Sequence, residues 1–157
     1  MARFGRTMTK DQIAIRHGYR SGLEDVVANQ LADCGVKVQY EPFRISYTQP
    51  ERKAHYTPDF VLPNGIIIET KGRFEVKDRQ KHVFLKEQHP DLDIRFVFTN
   101  PNNKISKGSP TTYGLWCKKH GFLFATKLIP TEWLNESPDE RRLMAVRQFE
   151  DESKRKN

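Results

Sequence analysis

The stretch from Pro58 to Gly72, PDFVLPNGIIIETKG, constrains this chain more than any other. Ile66, Ile67 and Ile68 read as a buried strand, because three β-branched residues in a row leave no polar face. Asn64-Gly65 is a strong short-range turn signal that joins this strand to Asp59–Leu62 as a hairpin. Yet the buried strand ends in Glu69, Thr70 and Lys71. Alternation puts Ile67, Glu69 and Lys71 on one side and Ile66, Ile68 and Thr70 on the other. The loop decides what faces Glu69. With Asn64-Gly65 alone as the loop, Asp59 pairs with Thr70 and points away. With Pro63-Asn64-Gly65 as the loop and Gly65 left-handed, residue 62 pairs with 66 and Asp59 lies opposite Glu69.

Two opposed carboxylates repel, and each resists ionisation unless a cation lies between them. A hard divalent ion takes oxygen ligands of this kind, and the Thr70 carbonyl at the strand end adds another. Lys71 beside it would orient or deprotonate a water and offset charge on a phosphate. The plainer alternative is a Glu69–Lys71 surface ion pair with Asp59 as a turn residue. Pro58-Asp59, then nine residues, then Glu69-Thr70-Lys71 favours the metal centre when taken together. A third carboxylate comes from SGLEDVVANQLADCG, a helix with Ser21 as N-cap and Gly35 at its end. Leu23, Val26, Val27, Leu31 and Cys34 form its apolar stripe. Glu24 fits a capping box with Ser21, and it equally fits a ligand at the rim of that stripe.

The 157 residues suit one compact domain, and the formal charge of +7 favours an anionic partner. That charge is concentrated. Residues 1–20 carry Arg3, Arg6, Lys10, Arg16 and Arg20 against one acid, and residues 100–120 carry Lys104, Lys107, Lys118 and Lys119 against none. Both segments are candidates for a nucleic-acid footprint, with solvated loops as the plain alternative. His55 and Arg73, close to the acids in sequence, join them. The other histidines, His82 and His89 among them, read as surface or phosphate-contacting groups. Residues 1–18 form a basic mobile arm, 19–136 the main domain, and 137–157 a charged C-terminal helix or disordered tail capped by Ser137. Gln49 to Pro58 reads as a polar connector between prolines. Cys34 and Cys117 are too few for a disulfide framework, which points to a reducing, intracellular compartment. No apolar run approaches the ~18 residues of a membrane span. A helix followed by strands and crossing helices argues for an α/β domain with a mixed central sheet flanked by helices.

PD and ETK in a hairpin, after a helical glutamate, resemble the PD-(D/E)XK nuclease superfamily. RSGLED, YTPDFVLPNG, ETKG, DRQKH, EQHPDLDIR, KGSPTTYG and KLIPTEWL, in that order, resemble the bacteriophage endonuclease I family of Holliday-junction resolvases. The resemblance implies a restriction-endonuclease-like fold and an intertwined, domain-swapped homodimer joined through a bridge at about residues 47–53. It implies magnesium or manganese, two ions per active site, and hydrolysis of opposed strands in four-way DNA junctions. Asp59 would be the shared metal ligand, Glu69 and the Thr70 carbonyl would complete one ion's site, and Glu24 would hold the second ion. Lys71 would assist the attacking water, so the catalytic set is Glu24, Asp59, Glu69 and Lys71. The location it implies is the cytoplasm of an infected bacterial host. Two alternatives stay open: another branched-DNA, flap or mismatch nuclease of the superfamily, or a non-catalytic basic DNA-binding module.

Overall fold

The computed structural model describes residues 22–49 and 52–155. Its centre is a five-stranded sheet in the order β1 (Gln39–Tyr40), β4 (Phe60–Val61), β5 (Ile67–Lys71), β6 (Ile94–Phe98), β7 (Phe124–Thr126). The β1–β4 and β4–β5 pairs are antiparallel, and β5–β6 and β6–β7 are parallel. Helix α2 (Val76–Gln88) connects β5 to β6, and α3 (Tyr113–His120) connects β6 to β7. Parallel neighbours need such crossovers, which cover the sheet. The expected mixed α/β sheet flanked by helices is therefore present.

Both faces are buried, and the isoleucine run shows it directly. Ile67 packs with Phe74, Leu85, Phe96, Phe98 and Trp116 on one face. Ile66 and Ile68 pack with Val97, Trp133 of the short helix α4 (Thr131–Leu134) and helix α1 (Gly22–Asp33) on the other. Strand β6, whose Ile94, Phe96 and Phe98 mark one apolar face, is buried at all five positions. In α1 the buried residues are Gly22, Glu24, Asp25, Val27, Ala28 and Leu31. Val26 and Cys34 of the expected stripe are exposed, because the face that meets the sheet is centred a quarter-turn closer to Glu24.

The hairpin takes the three-residue loop. Phe60 pairs with Ile68 and Val61 with Ile67, and the Leu62 N–H donates to the Ile66 carbonyl at 2.9 Å. Gly65 has φ 91°, open to glycine alone without strain. Asn64 locks the loop: its amide donates to the Trp133 carbonyl at 2.9 Å and the Glu136 carbonyl at 3.0 Å, and its Oδ1 accepts from Ile66 N–H.

Two expectations are corrected. The stretch read as a connector contains strand β3 (Arg52–Tyr56), which folds back on β2 (Ile45–Gln49) as an antiparallel pair with Gln49 opposite Arg52. Its outward residues are polar because that side faces solvent, while Ile45, Tyr47 and Tyr56 enter the core and Gln88 of α2 brackets Thr48 with two hydrogen bonds. The C-terminal segment takes the helical of its two readings, and the correction there is to its cap. Helix α5 (Glu140–Arg155) inserts Val146 and Phe149 into the main core. Its cap is Asp139, which accepts from Arg142 N–H at 3.1 Å, rather than Ser137. Arg142 then bonds the Asn64 carbonyl, Asp93, Glu136 and the Ser137 carbonyl.

Candidate active site at the sheet edge

Topology brings five strand ends to one edge. The C-terminal ends of β1, β5, β6 and β7 and the start of β4 all lie there, because β4 runs opposite to the others. The register that pairs Phe60 with Ile68 carries Asp59 to the position facing Glu69. Both carboxylates are buried. Asp59 Oδ2 accepts from the Thr70 N–H at 2.9 Å and from the Thr70 hydroxyl at 2.8 Å. Glu69 accepts from the fully buried Tyr56 hydroxyl at 2.6 Å, and Lys71 Nζ lies 3.4 Å from its other oxygen. Lys71 is shared with Asp78 of α2, also at 3.4 Å.

Helix α1 delivers Glu24 to the same place, where it accepts from the Tyr40 hydroxyl. Glu41 arrives through a left-handed backbone (φ 42°) just past β1, its N–H bonded to the Asp59 carbonyl at 3.0 Å. One carboxylate oxygen from each of Glu24, Glu41 and Asp59 lies within 4.8 Å of the others. Of the residues expected here, Glu24, Asp59, Glu69, Thr70 and Lys71 are all brought together. Tyr40, Glu41 and Tyr56 were not foreseen. Glu41 comes where Pro42 ends a strand, which is the one sign it gave.

Burial, then the charges of Glu69 and Glu24, push Asp59 well above the carboxylate range despite the Thr70 hydrogen bonds. Burial also raises Glu69, opposed by Lys71 and the Tyr56 hydroxyl. For Lys71 burial works against the charge, but Glu69, Asp78 and Asp59 outweigh it and raise the pKa, so the group is an ammonium at neutral pH. The site gathers carboxylates in excess, with Lys71 at its rim. Buried oxygen donors under mutual repulsion fit a hard divalent ion, and the donor set has no soft ligand to favour another metal.

His82, read as a surface group, is fully buried inside α2 among Tyr56, Phe96 and Phe122. Burial, then Lys71 and Lys81, hold its pKa well below the ordinary value, so it stays neutral beneath the site. Among the candidate DNA contacts, Arg73 is exposed directly after β5, and Lys104, Lys107, Lys118 and Lys119 are exposed around and on α3. His55 is exposed on β3 and pairs with the Ser46 hydroxyl at 3.2 Å. Arg3, Arg6, Lys10, Arg16 and Arg20 lie outside the described residues, as do Ser21 and the 1–18 arm. Among the described residues no helix is long and apolar enough to cross a membrane.

Fold and site together define an α/β protein with a buried acidic centre and a lysine at its rim, set at an open sheet edge. The chain matches the family model described as phage endonuclease I over residues 1–155 and belongs to that family. Endonuclease I of Escherichia phage T7 is 54% identical over 122 residues, covering 78% of this chain and 82% of the relative. Endodeoxyribonuclease 1 of Enterobacteria phage T3 is 57% identical over 122 residues, covering 78% and 80%.

Proposed function

We propose that this protein is a magnesium- or manganese-dependent endodeoxyribonuclease that resolves four-way DNA junctions as a homodimer in the host cytoplasm. The observation that carries the reading is Asp59 facing Glu69 at an open strand end, with Lys71 at the rim and Glu24 converging from a separate helix. The names of the phage T7 and T3 relatives support the nuclease class and DNA as substrate.

Asp59 and Glu24, with Glu69 and the Thr70 carbonyl, would hold two ions between them. A bound divalent ion supplies Lewis-acid polarisation of the phosphate and lowers the pKa of water. Tyr56 and Thr70 fix the oxygens of Glu69 and Asp59, so the acids meet the substrate already oriented. Lys71, held charged, donates to the water or to a non-bridging phosphate oxygen as negative charge grows there. Burial of the acids keeps solvent from weakening these interactions.

A junction presents two equivalent strands, and a two-fold dimer meets them with two equivalent sites. The β2–β3 register supports an exchanged dimer. Residues 45, 46, 47, 48 and 49 pair with 56, 55, 54, 53 and 52. Opened at residues 50–51, the same strands from two chains pair in the same register about a two-fold axis, with every ladder contact kept. Recognition would then follow branch shape and phosphate positions, since among the described residues no element resembles a base-reading helix.

The test is cleavage of a synthetic four-way junction, a flap and a plain duplex, with magnesium and with EDTA, by this protein and by Lys71→Ala. Junction cutting that needs the metal and falls at least about 100-fold in the variant is expected. Equal cutting of duplex and junction would remove the resolvase reading, and metal-indifferent binding without scission would reduce the protein to a DNA-binding module.

A further inference from the structure

Lys127 opens the run KLIPTEWL and follows β7 at the sheet edge that holds Asp59, Glu69 and Lys71. Its φ is 62°, and the Leu128 N–H donates across it to the Thr126 carbonyl at 2.7 Å. A three-residue turn with positive φ at its centre is the rare, strained form of the γ-turn. Glycine or asparagine would take this backbone at lower cost. Packing does not ask for lysine either, since the residue is exposed. Among the described residues Lys127 and Glu41 are the two non-glycines with positive φ, and Glu41 belongs to the acid group. Backbone strain of this kind gathers at functional positions.

The turn is held from both sides. Lys127 N–H donates to the Phe98 carbonyl at 2.8 Å. Two residues on, the Gln30 side chain donates to the Ile129 carbonyl at 2.7 Å and accepts from the Ile129 N–H at 2.8 Å. Gln30 stands on α1, the helix that carries Glu24, so one element fixes both the acid and the lysine turn. The ammonium itself is left to solvent: among the described residues no carboxylate pairs with it. Two strand spacings, about 10 Å, separate β7 from Lys71 on β5.

We propose that Lys127 binds a DNA backbone phosphate neighbouring the one that is cut, extending the site along the sheet edge to β7. This rests on the DNA-cleaving reading above. A lysine gives a point charge for a phosphate and reads no base, so the contact sets the position of the strand rather than its sequence.

The test is titration of a fluorescent four-way junction in EDTA, where nothing is cut, over a range of salt. The proteins are wild type, Lys127→Asn, Lys127→Gly and Lys127→Arg, each with its melting temperature measured. The asparagine and glycine variants should melt at or above wild type, bind several-fold more weakly, and flatten the log–log salt slope by about one. The arginine variant should keep affinity and slope. An asparagine variant with wild-type affinity and slope overturns the proposal, as does a loss of melting temperature in both the asparagine and glycine variants, which would make Lys127 structural. Wild-type protein that binds no DNA overturns this proposal and the nuclease reading together.

Discussion

At the scale of single residues, the acidic centre is built at the expense of stability. Asp59 titrates above its ordinary value of 3.8 because burial and two neighbouring carboxylates penalise its charge. A carboxyl whose folded pKa is raised stabilises the fold fully below its unfolded pKa, and that contribution is lost as pH rises through the folded one. Metal-free protein should therefore lose stability as pH climbs from about 4 through the raised value toward neutral, and magnesium should restore it. Asp59→Asn removes the buried charge and keeps an acceptor for Thr70. It should cut no DNA, yet at neutral pH in EDTA it should be more stable than wild type by roughly 1–2 kcal/mol. Calorimetry across pH decides this, and a variant no more stable than wild type would mean the acids do not repel as their geometry implies. The residues that carry this chemistry were largely legible. Asp59, Glu69 and Lys71 follow from strand alternation, a local rule. Glu41 was not, since its approach depends on one left-handed backbone angle and on a strand pairing between distant segments. Tyr56 was hidden for a related reason: it serves Glu69 from a strand that local sequence marks as polar.

At the scale of elements, the proposed exchange of chains turns on the β2–β3 pair. Tight two-residue hairpins want a left-handed first loop residue, as Asn-Gly supplies, whereas a proline ring holds φ near about −65°. Pro50-Glu51 joins Gln49 to Arg52, so the chemistry of the connection opposes the closure that the register asks for. If the proposed dimer exchanges strands at this connection, replacing Pro50 by Asn and Glu51 by Gly should favour the closed single chain and shift sedimentation toward monomer. An unchanged dimer fraction would mean that association does not run through this connection. Central strands and helices were readable because β-branched runs, helix periodicity and turn residues act locally. Arg52–Tyr56 was not, because its strand character comes from what Ile45, Tyr47 and α2 bury beneath it. Helix α5 was legible as a helix, but the core contact of Val146 and Phe149, spaced three apart, was not, because nearly balanced charges cover its outer face.

For the whole molecule, the proposed catalytic set is divided between a helix before residues 50–51 and strand ends after them. Glu24 comes from α1, and Asp59, Glu69 and Lys71 come from β4, β5 and their approaches. If two chains exchange at residues 50–51, refolding a Glu24→Ala chain together with an Asp59→Ala chain rebuilds one intact site per mixed dimer. Junction nicking should then return, whereas either variant alone stays inactive. Continued inactivity of the mixture would confine each site to its own chain. The opposite end of the sheet has another character. There Arg142 and Arg95 meet Asp93 and Glu136, the Asn64 amide is fully used, and the chain's last helix is bolted down. About 15 Å of strand lies between that end and the acids, and substitutions so far apart add independently. The protein can thus be toughened at its riveted end, for use as a laboratory reagent in hot or denaturing buffers, while its cutting edge keeps the tuning it already has.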